Sequence, residues 1–344
     1  MSGLEHEQIT IQLGRRSKLP VILAIHSTRL GSAVGGCRMW RYPDWRDGLA
    51  DAIRLSEAMS LKCAASGIRH GGGKTVIALP PEIELEARRR EALMEDVGEL
   101  VESFGGGYYI GEDVGTGPDD ILTMRRHTRW TARPHDGTAP AEVPQPTATG
   151  VVEAIRASAR HVFGSPSLIG RRVAIVGLGH VGRPLAQMLA DEVSTLLVSD
   201  VDAGKVAAAV ELGATPLASA RAIEAEVDIL VPAALGGVIS SDMIDRLHCA
   251  VICGPANNQL TDDGVADQLH ARGILWAPDF IVNAGGVIYE VAVGIDGATD
   301  DEAIPRVREI GERLTTILQR SEAESATPFA VALRLAREAL RRGH

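Results

Sequence analysis

The run Arg171-Arg-Val-Ala-Ile-Val-Gly-Leu-Gly-His-Val-Gly182 constrains this 344-residue chain more than any other stretch. Residues 171–176 predict a strand, Gly177, Gly179 and Gly182 a G-x-G-x-x-G turn, and 185–189 a helix. Pro184 is tolerated because the first helical turn has no internal partners for its N–H groups. A lone glycine fingerprint is weak evidence, but this one has a strand before it, a helix after it and a second strand, 196–198, ending in Asp200. That context predicts a dinucleotide site. Gly177, Leu178, Gly179, His180, Val181 and Gly182 would receive the pyrophosphate at the helix amino terminus, and Asp200 would accept hydrogen bonds from the adenosine ribose. An acid there disfavours a 2′-phosphate, so NAD is expected over NADP. Further strand and helix units follow at 228–231, 250–253 and 274–276. Ligands of doubly wound sheets bind outside the carboxyl ends of the strands, which puts Ala234, Asn258 and Asn283 at the nicotinamide end. Ordinary turn chemistry is the competing explanation of the asparagines.

A second stretch, 61–80, carries two lysines that the nucleotide half does not need. Lys62 follows a helix-periodic run (Leu49, Ile53, Leu55, Met59), whereas Lys74 stands between three glycines and the apolar strand 75–79. Three successive glycines allow close backbone approach to a ligand, and partial burial beside a second ammonium pushes a lysine toward its neutral, basic form. A phosphate loop is excluded, because its first glycine would have to stand at Ile68 and Gly67 is out of register by one. A glycine-rich turn with a solvated lysine is the plainer alternative.

Elsewhere, 9–13 and 21–25 alternate as strands, and Gly35-Gly36 is a second place for close backbone approach. Leu93, Val97, Leu100, Val101 and Phe104 fall at helical spacing, and the helix stops at Gly105-Gly106-Gly107. The apolar strand beginning at Tyr108 delivers Glu112 and Asp113 to its carboxyl end, where a carboxylate suits proton transfer, although a turn-forming Asp before Gly115 is equally ordinary. Four prolines within 133–146 suggest a linker between a domain at 1–140 and one at 147–326. A long amphipathic helix carries Val307, Ile310, Leu314, Ile317 and Leu318, and a final helix at 327–344 is expected to pack back on the first domain.

A net charge of −10 argues against nucleic acid as a partner. The arginines at 88–90 and 125–126 read as solvated helix faces. Cys37, Cys63, Cys249 and Cys253 are far apart or on apolar stretches, so buried thiols are expected rather than disulfides or a metal site. With no signal pattern and no apolar run near the roughly 18 residues that span a bilayer, the chain is expected to be cytoplasmic.

These residues together resemble the NAD-dependent leucine, phenylalanine and valine dehydrogenases, relatives of glutamate dehydrogenase. The resemblance runs through Gly-Gly-x-Arg-Met-Trp at 35–40, Lys62-x-Ala-Ala with the lysine of Gly-Gly-Gly-Lys74, Glu-Asp-Val-Gly-Thr at 112–116 and Thr147-Ala-Thr-Gly150. It continues through the glycine fingerprint, Ala-Asn-Asn-Gln-Leu and Ala-Pro-Asp-Phe-x-x-Asn-Ala-Gly-Gly. It implies an α/β protein of two domains: an amino-terminal substrate and oligomerisation domain and a Rossmann-type NAD-binding domain, with the active-site cleft between them, in a homo-oligomer. The implied substrates are an L-amino acid, or its 2-oxo acid and ammonia. By resemblance, Lys62 holds the substrate carboxylate with the Gly36 backbone, Lys74 is the general base that activates water, and Asp113 exchanges protons with the amine. Arg38, Thr147, Ala234 and Asn258 would line the cofactor, with Asn258 also near the substrate.

Departures from the family pattern bear on specificity. Arg69-His70 adds charge beside Lys74 where an apolar residue is usual. Gly111 suggests a roomier side-chain pocket, and Glu290 stands where an aliphatic residue is typical, beside a Val287 that fits the pattern. A 2-hydroxy acid dehydrogenase would share only the nucleotide half and would use a histidine, with no need of Lys62 and Lys74. A non-catalytic homologue would have no need of an intact Lys74 and Asp113.

Overall fold

The computed structural model describes residues 5–132 and 145–343. Most of the predicted linker, 133–144, lies outside the described residues, while Pro146 opens a helix. Among the described residues, those within Met1–Ala141, Glu290–Ala298 and Leu335–His344 form one compact unit, and those within Glu142–Tyr289 and Thr299–Arg334 a second.

The first unit is built on five strands, β1 (Gln8–Leu13), β2 (Pro20–Ser27), β3 (Ala33–Arg41), β4 (Gly71–Leu79) and β5 (Tyr108–Glu112), in the order β1-β2-β4-β3-β5. β2 runs antiparallel to β1 and β4, whereas β3 runs parallel to β4 and β5. Helix α1 (Trp45–Ala65) covers one face, where Val76 and Ala78 pack with Ile22, Ala24 and Ala52. Helix α2 (Ala87–Glu102) covers the other, where Ile77 and Leu79 meet Leu93, Val97 and Val101. Side chains alternate across a strand, so Lys74 shares the α1 face with Gly72 and Val76.

The three glycines before Lys74 are not the turn of the plainer alternative. They are buried residues of β4, and their missing side chains are required by the protein itself. A β-carbon on Gly71 would lie 1.8 Å from the Ser27 carbonyl oxygen, one on Gly72 2.1 Å from the Ser60 amide nitrogen, and one on Gly73 2.7 Å from the Tyr108 ring. Strand β2, helix α1 and the Tyr108 ring of β5 close on this segment more tightly than any larger residue allows.

The second unit holds six parallel strands, β6 (Arg172–Val176), β7 (Thr195–Ser199), β8 (Thr215–Pro216), β9 (Ile229–Pro232), β10 (Val251–Ile252) and β11 (Leu275–Trp276), in the order β11-β10-β9-β6-β7-β8. Chain direction across the sheet reverses between β6 and β9, which makes their carboxyl ends the switch point where ligands of this architecture bind. The continuously apolar text of β9, and of β6 after Arg172, follows from burial on both faces. Helix α3 (Pro118–Met124) belongs to the first unit, and α4 (Pro146–Phe163) and α5 (Gly182–Leu189) to the second. The expected single helix around Val307 is two, Asp300–Arg308 and Ile310–Glu324, and the last helix is Pro328–Arg342, opened by Thr327 accepting from the Ala330 amide. No described helix is long and apolar enough to cross a membrane.

Candidate active site

In the first unit, parallel pairing puts Gly36 of β3 beside Gly111 of β5, and Asp113 leaves the end of β5 next to them. Lys74 Nζ lies 2.7 Å from Asp113 Oδ2. Gly36 faces the pair with no side chain, since a β-carbon there would sit 2.8 Å from Asp113 Cβ and 3.2 Å from Lys74 Nζ. Gly111 differs in kind. Among the described residues its β-carbon would meet only Ala132, at 3.7 Å, so packing against them does not demand glycine. Lys62 sits in the last turn of α1, two residues past the Ser60 that rests on Gly72.

The loop after β5 is pinned so that Asp113 cannot wander. Thr116 Oγ1 donates to the Cys37 carbonyl at 2.7 Å and accepts from the Asp113 amide at 3.1 Å, while the Met39 amide donates to the Val114 carbonyl. Gly115, at φ +85°, lies where a β-carbon would be 2.1 Å from the Met39 carbonyl oxygen. Arg90 donates to the Gly115 carbonyl and, through two nitrogens, to Asp120. It is therefore a clamp on this loop and not the solvated helix face expected of it.

Burial pushes the Lys74 ammonium toward its neutral form, and the opposing pull of Asp113 leaves it below the ordinary lysine value. Burial alone would raise the Asp113 carboxyl. Lys74 and Arg38 outweigh it and hold that carboxyl below the usual carboxylate range. Arg38, expected at the cofactor, is engaged by carboxylates: Nε donates to Asp113 Oδ2 and an Nη to Asp51 Oδ2, each at 3.0 Å. The His70 ring nitrogens contact the Ser32 carbonyl and Asp296.

In the second unit the glycine turn behaves as its spacing predicts. Gly177 has φ +108°, and a β-carbon on it would strike Ala234, while one on Gly182 would lie 1.9 Å from the Gly177 carbonyl oxygen. Ala234 is thereby seated against the turn. Among the described residues nothing lies within 4 Å of where a side chain on Gly179 would stand, which fits close approach of a pyrophosphate. His180 is exposed and Val181 half-buried. Asp200 reaches back: Oδ2 accepts from the Leu178 amide at 2.6 Å and Oδ1 from the Asp202 amide at 2.9 Å, with Lys205 Nζ 3.9 Å away.

At the end of β10, Asn258 takes the left-handed conformation (φ 52°) and its carbonyl accepts from the Gly237 amide. Asn283 donates to the Pro255 carbonyl and to Asn257 Oδ1. Thr147 rests on the glycine pair before Val287, its Oγ1 being 2.8 Å from a β-carbon on Gly286. Glu290 is exposed.

Three residues the motifs did not single out belong to this description. Buried Gln259 donates to the Gly254 and Ala256 carbonyls and accepts from the Trp276 indole, fixing the loop that carries Asn258. Val201 (96% exposed) and Leu235 (77%) stand bare just beyond the ends of β7 and β9. Their position directly after strand ends was the available signal. Among the described residues no cluster of histidine, cysteine or acidic groups forms a metal site, and the four cysteines are free thiols.

Residues 6–131 match the dimerisation domain of the Glu/Leu/Phe/Val dehydrogenases, and residues 202–292 match the glutamate/leucine/phenylalanine/valine dehydrogenase domain. A valine dehydrogenase of Streptomyces virginiae is 39% identical over 339 residues, covering 97% of this chain and 93% of its own. A leucine dehydrogenase of Thermoactinomyces intermedius is 35% identical over 340 residues, covering 98% and 92%. The crystal structure of an L-tryptophan dehydrogenase from Nostoc punctiforme superposes with a TM-score of 0.87 at 33% identity, covering 99% of this chain and 97% of that one.

Proposed function

The chain belongs to the glutamate/leucine/phenylalanine/valine dehydrogenase family, and from that premise we propose that it catalyses the reversible, NAD-dependent oxidative deamination of an L-amino acid to its 2-oxo acid and ammonia. The observation that carries this reading is the 2.7 Å contact of a buried lysine, Lys74, with Asp113 beside the bare Gly36.

When bound, the nicotinamide supplies the hydride acceptor for the substrate α-carbon. The chain's own residues do the rest. The Lys62 ammonium and the Gly36 backbone hold the substrate carboxylate, and Asp113 takes a proton from the amine. Loss of hydride leaves an iminium carbon, and Lys74, kept toward neutral by burial, removes a proton from the water that attacks it. A neutral base adds no positive charge beside a cation before the proton moves. Two lysines thus serve two roles because their surroundings differ.

The turn from Gly177 to Gly182 is assigned to the pyrophosphate, and Thr147, Ala234, Asn258 and Asn283 to the nicotinamide half. NAD is preferred over NADP because Asp200 is held in its ionised form, below the usual carboxylate range, by the amides that outweigh its desolvation. Lys205 offsets part of that charge from 3.9 Å, with its side chain 45% exposed. Gly111 and Val287 are assigned to the side-chain pocket, with Glu290 at its border. The room that the described residues leave at Gly111 favours a side chain larger than that of valine. The match to a dimerisation domain supports a homo-oligomer.

The test is NADH formation with NAD and a panel of L-amino acids, namely valine, leucine, phenylalanine, tryptophan and arginine. Turnover of at least one is expected. Turnover of 2-hydroxy acids alone would replace this reading with the other dehydrogenase class.

A further inference from the structure

The two cations that meet Asp113 share one oxygen. Oδ2 lies 2.7 Å from Lys74 Nζ and 3.0 Å from Arg38 Nε. Arg38 is fixed from behind by Asp51 of α1, whose Oδ2 also accepts from the Tyr42 hydroxyl at 2.8 Å and whose Oδ1 accepts from Arg54 at 2.6 Å. A planar guanidinium can hold two carboxylates at set angles, which a lysine in its place cannot do. We propose that Arg38 is a positioning residue for the deamination: braced by Asp51, its guanidinium fixes the Asp113 carboxylate against Lys74 and keeps a second cation beside that lysine. This rests on the reading of Lys74 as the base.

The electrostatics run in one direction. Lys74 faces Asp113, Arg38 and the buried Cys37 thiol, and Asp113 faces Lys74 and Arg38. Arg90 and Asp120 also act on Cys37, but they are paired with each other. Burial keeps the neighbouring Tyr108 hydroxyl neutral. Arg38 favours the ionised Asp113 and disfavours the protonated Lys74. Its removal raises the proton affinity of both groups, so a base that must be unprotonated reaches that state only at higher pH.

The experiment is the pH profile of kcat/KM for the amino acid at saturating NAD, with NAD affinity measured separately by fluorescence titration. Arg38→Met is expected to move the acid limb up by roughly one pH unit or more, while NAD affinity is retained. Arg38→Lys, which keeps the charge and loses the fork, is expected to bring the limb back toward the parent while the rate on the plateau stays below the parent's. Should the methionine variant not fold, Arg38→Gln compared with Arg38→Lys gives the same reading. An unmoved limb, with weaker NAD binding or with a rate lowered equally at every pH, would make Arg38 a cofactor contact or a structural residue and overturn the proposal. Full turnover by Lys74→Ala would instead remove the underlying assignment of the base.

Discussion

Gly72 and Ser60 are in backbone contact: a β-carbon on Gly72 would lie 2.1 Å from the Ser60 amide nitrogen and 2.6 Å from its α-carbon. This contact seats α1 on β4, and it joins the element that ends in Lys62 to the one that carries Lys74. Neither atom belongs to a side chain that could swing aside. Gly72→Ala is therefore expected to destabilise the protein by about 1–3 kcal/mol, or more, by forcing the helix off the strand. Thermal unfolding measures it, and a melting temperature equal to the parent's would show that the contact yields.

Lys74→Ala is expected to lower turnover by roughly 10²–10⁴-fold, the usual loss on removing a general base. NAD should still bind, because the glycine turn and Asp200 belong to the other unit. Near-normal turnover in the variant would take Lys74 out of the mechanism.

The pH dependence follows from the sign of the Lys74 shift. Its pKa is lowered, so the protonated, inactive form dominates only below that lowered value, and kcat/KM for deamination rises with pH through it. The rise should level off before the ordinary lysine value of 10.5. A profile still climbing tenfold per unit as it reaches that value would mean that burial does not tune this lysine.

Asp200 has two separable duties. Asp200→Asn keeps an oxygen for the Leu178 amide and loses the charge, so it should narrow the preference for NAD over NADP. Asp200→Ala also releases that amide, and losing a hydrogen bond to a charged group, worth about 1.5–3 kcal/mol, should weaken NAD binding by roughly 10–100-fold. Specificity constants for both cofactors separate the two effects. Equal constants in the parent would show that the end of β7 was misread.

Glu290 is exposed, so its carboxylate carries no burial cost. If it borders the side-chain pocket, Glu290→Val shifts preference toward aliphatic amino acids across the same panel. An unchanged ranking would remove Glu290 from specificity.

Period and spacing were enough for the frame of the second unit. The strand, glycine turn, helix and acid-ended second strand are local in sequence, and each step is set by side-chain alternation or by backbone conformations that only glycine tolerates. The places of Lys74 and Asp113 beside glycines were likewise legible. What the sequence could not decide was which groups would meet. The parallel pairing of β3 with both β4 and β5 brings Gly36, Lys74 and Asp113 together from three separate stretches. The same packing turned three turn-like glycines into buried strand residues, drew Arg38 to Asp51 and Asp113, and made Arg90 a clamp on the Asp113 loop. Close approach of backbones and the partners of a charge arise from contacts between distant segments, and such contacts exist only once the chain has folded.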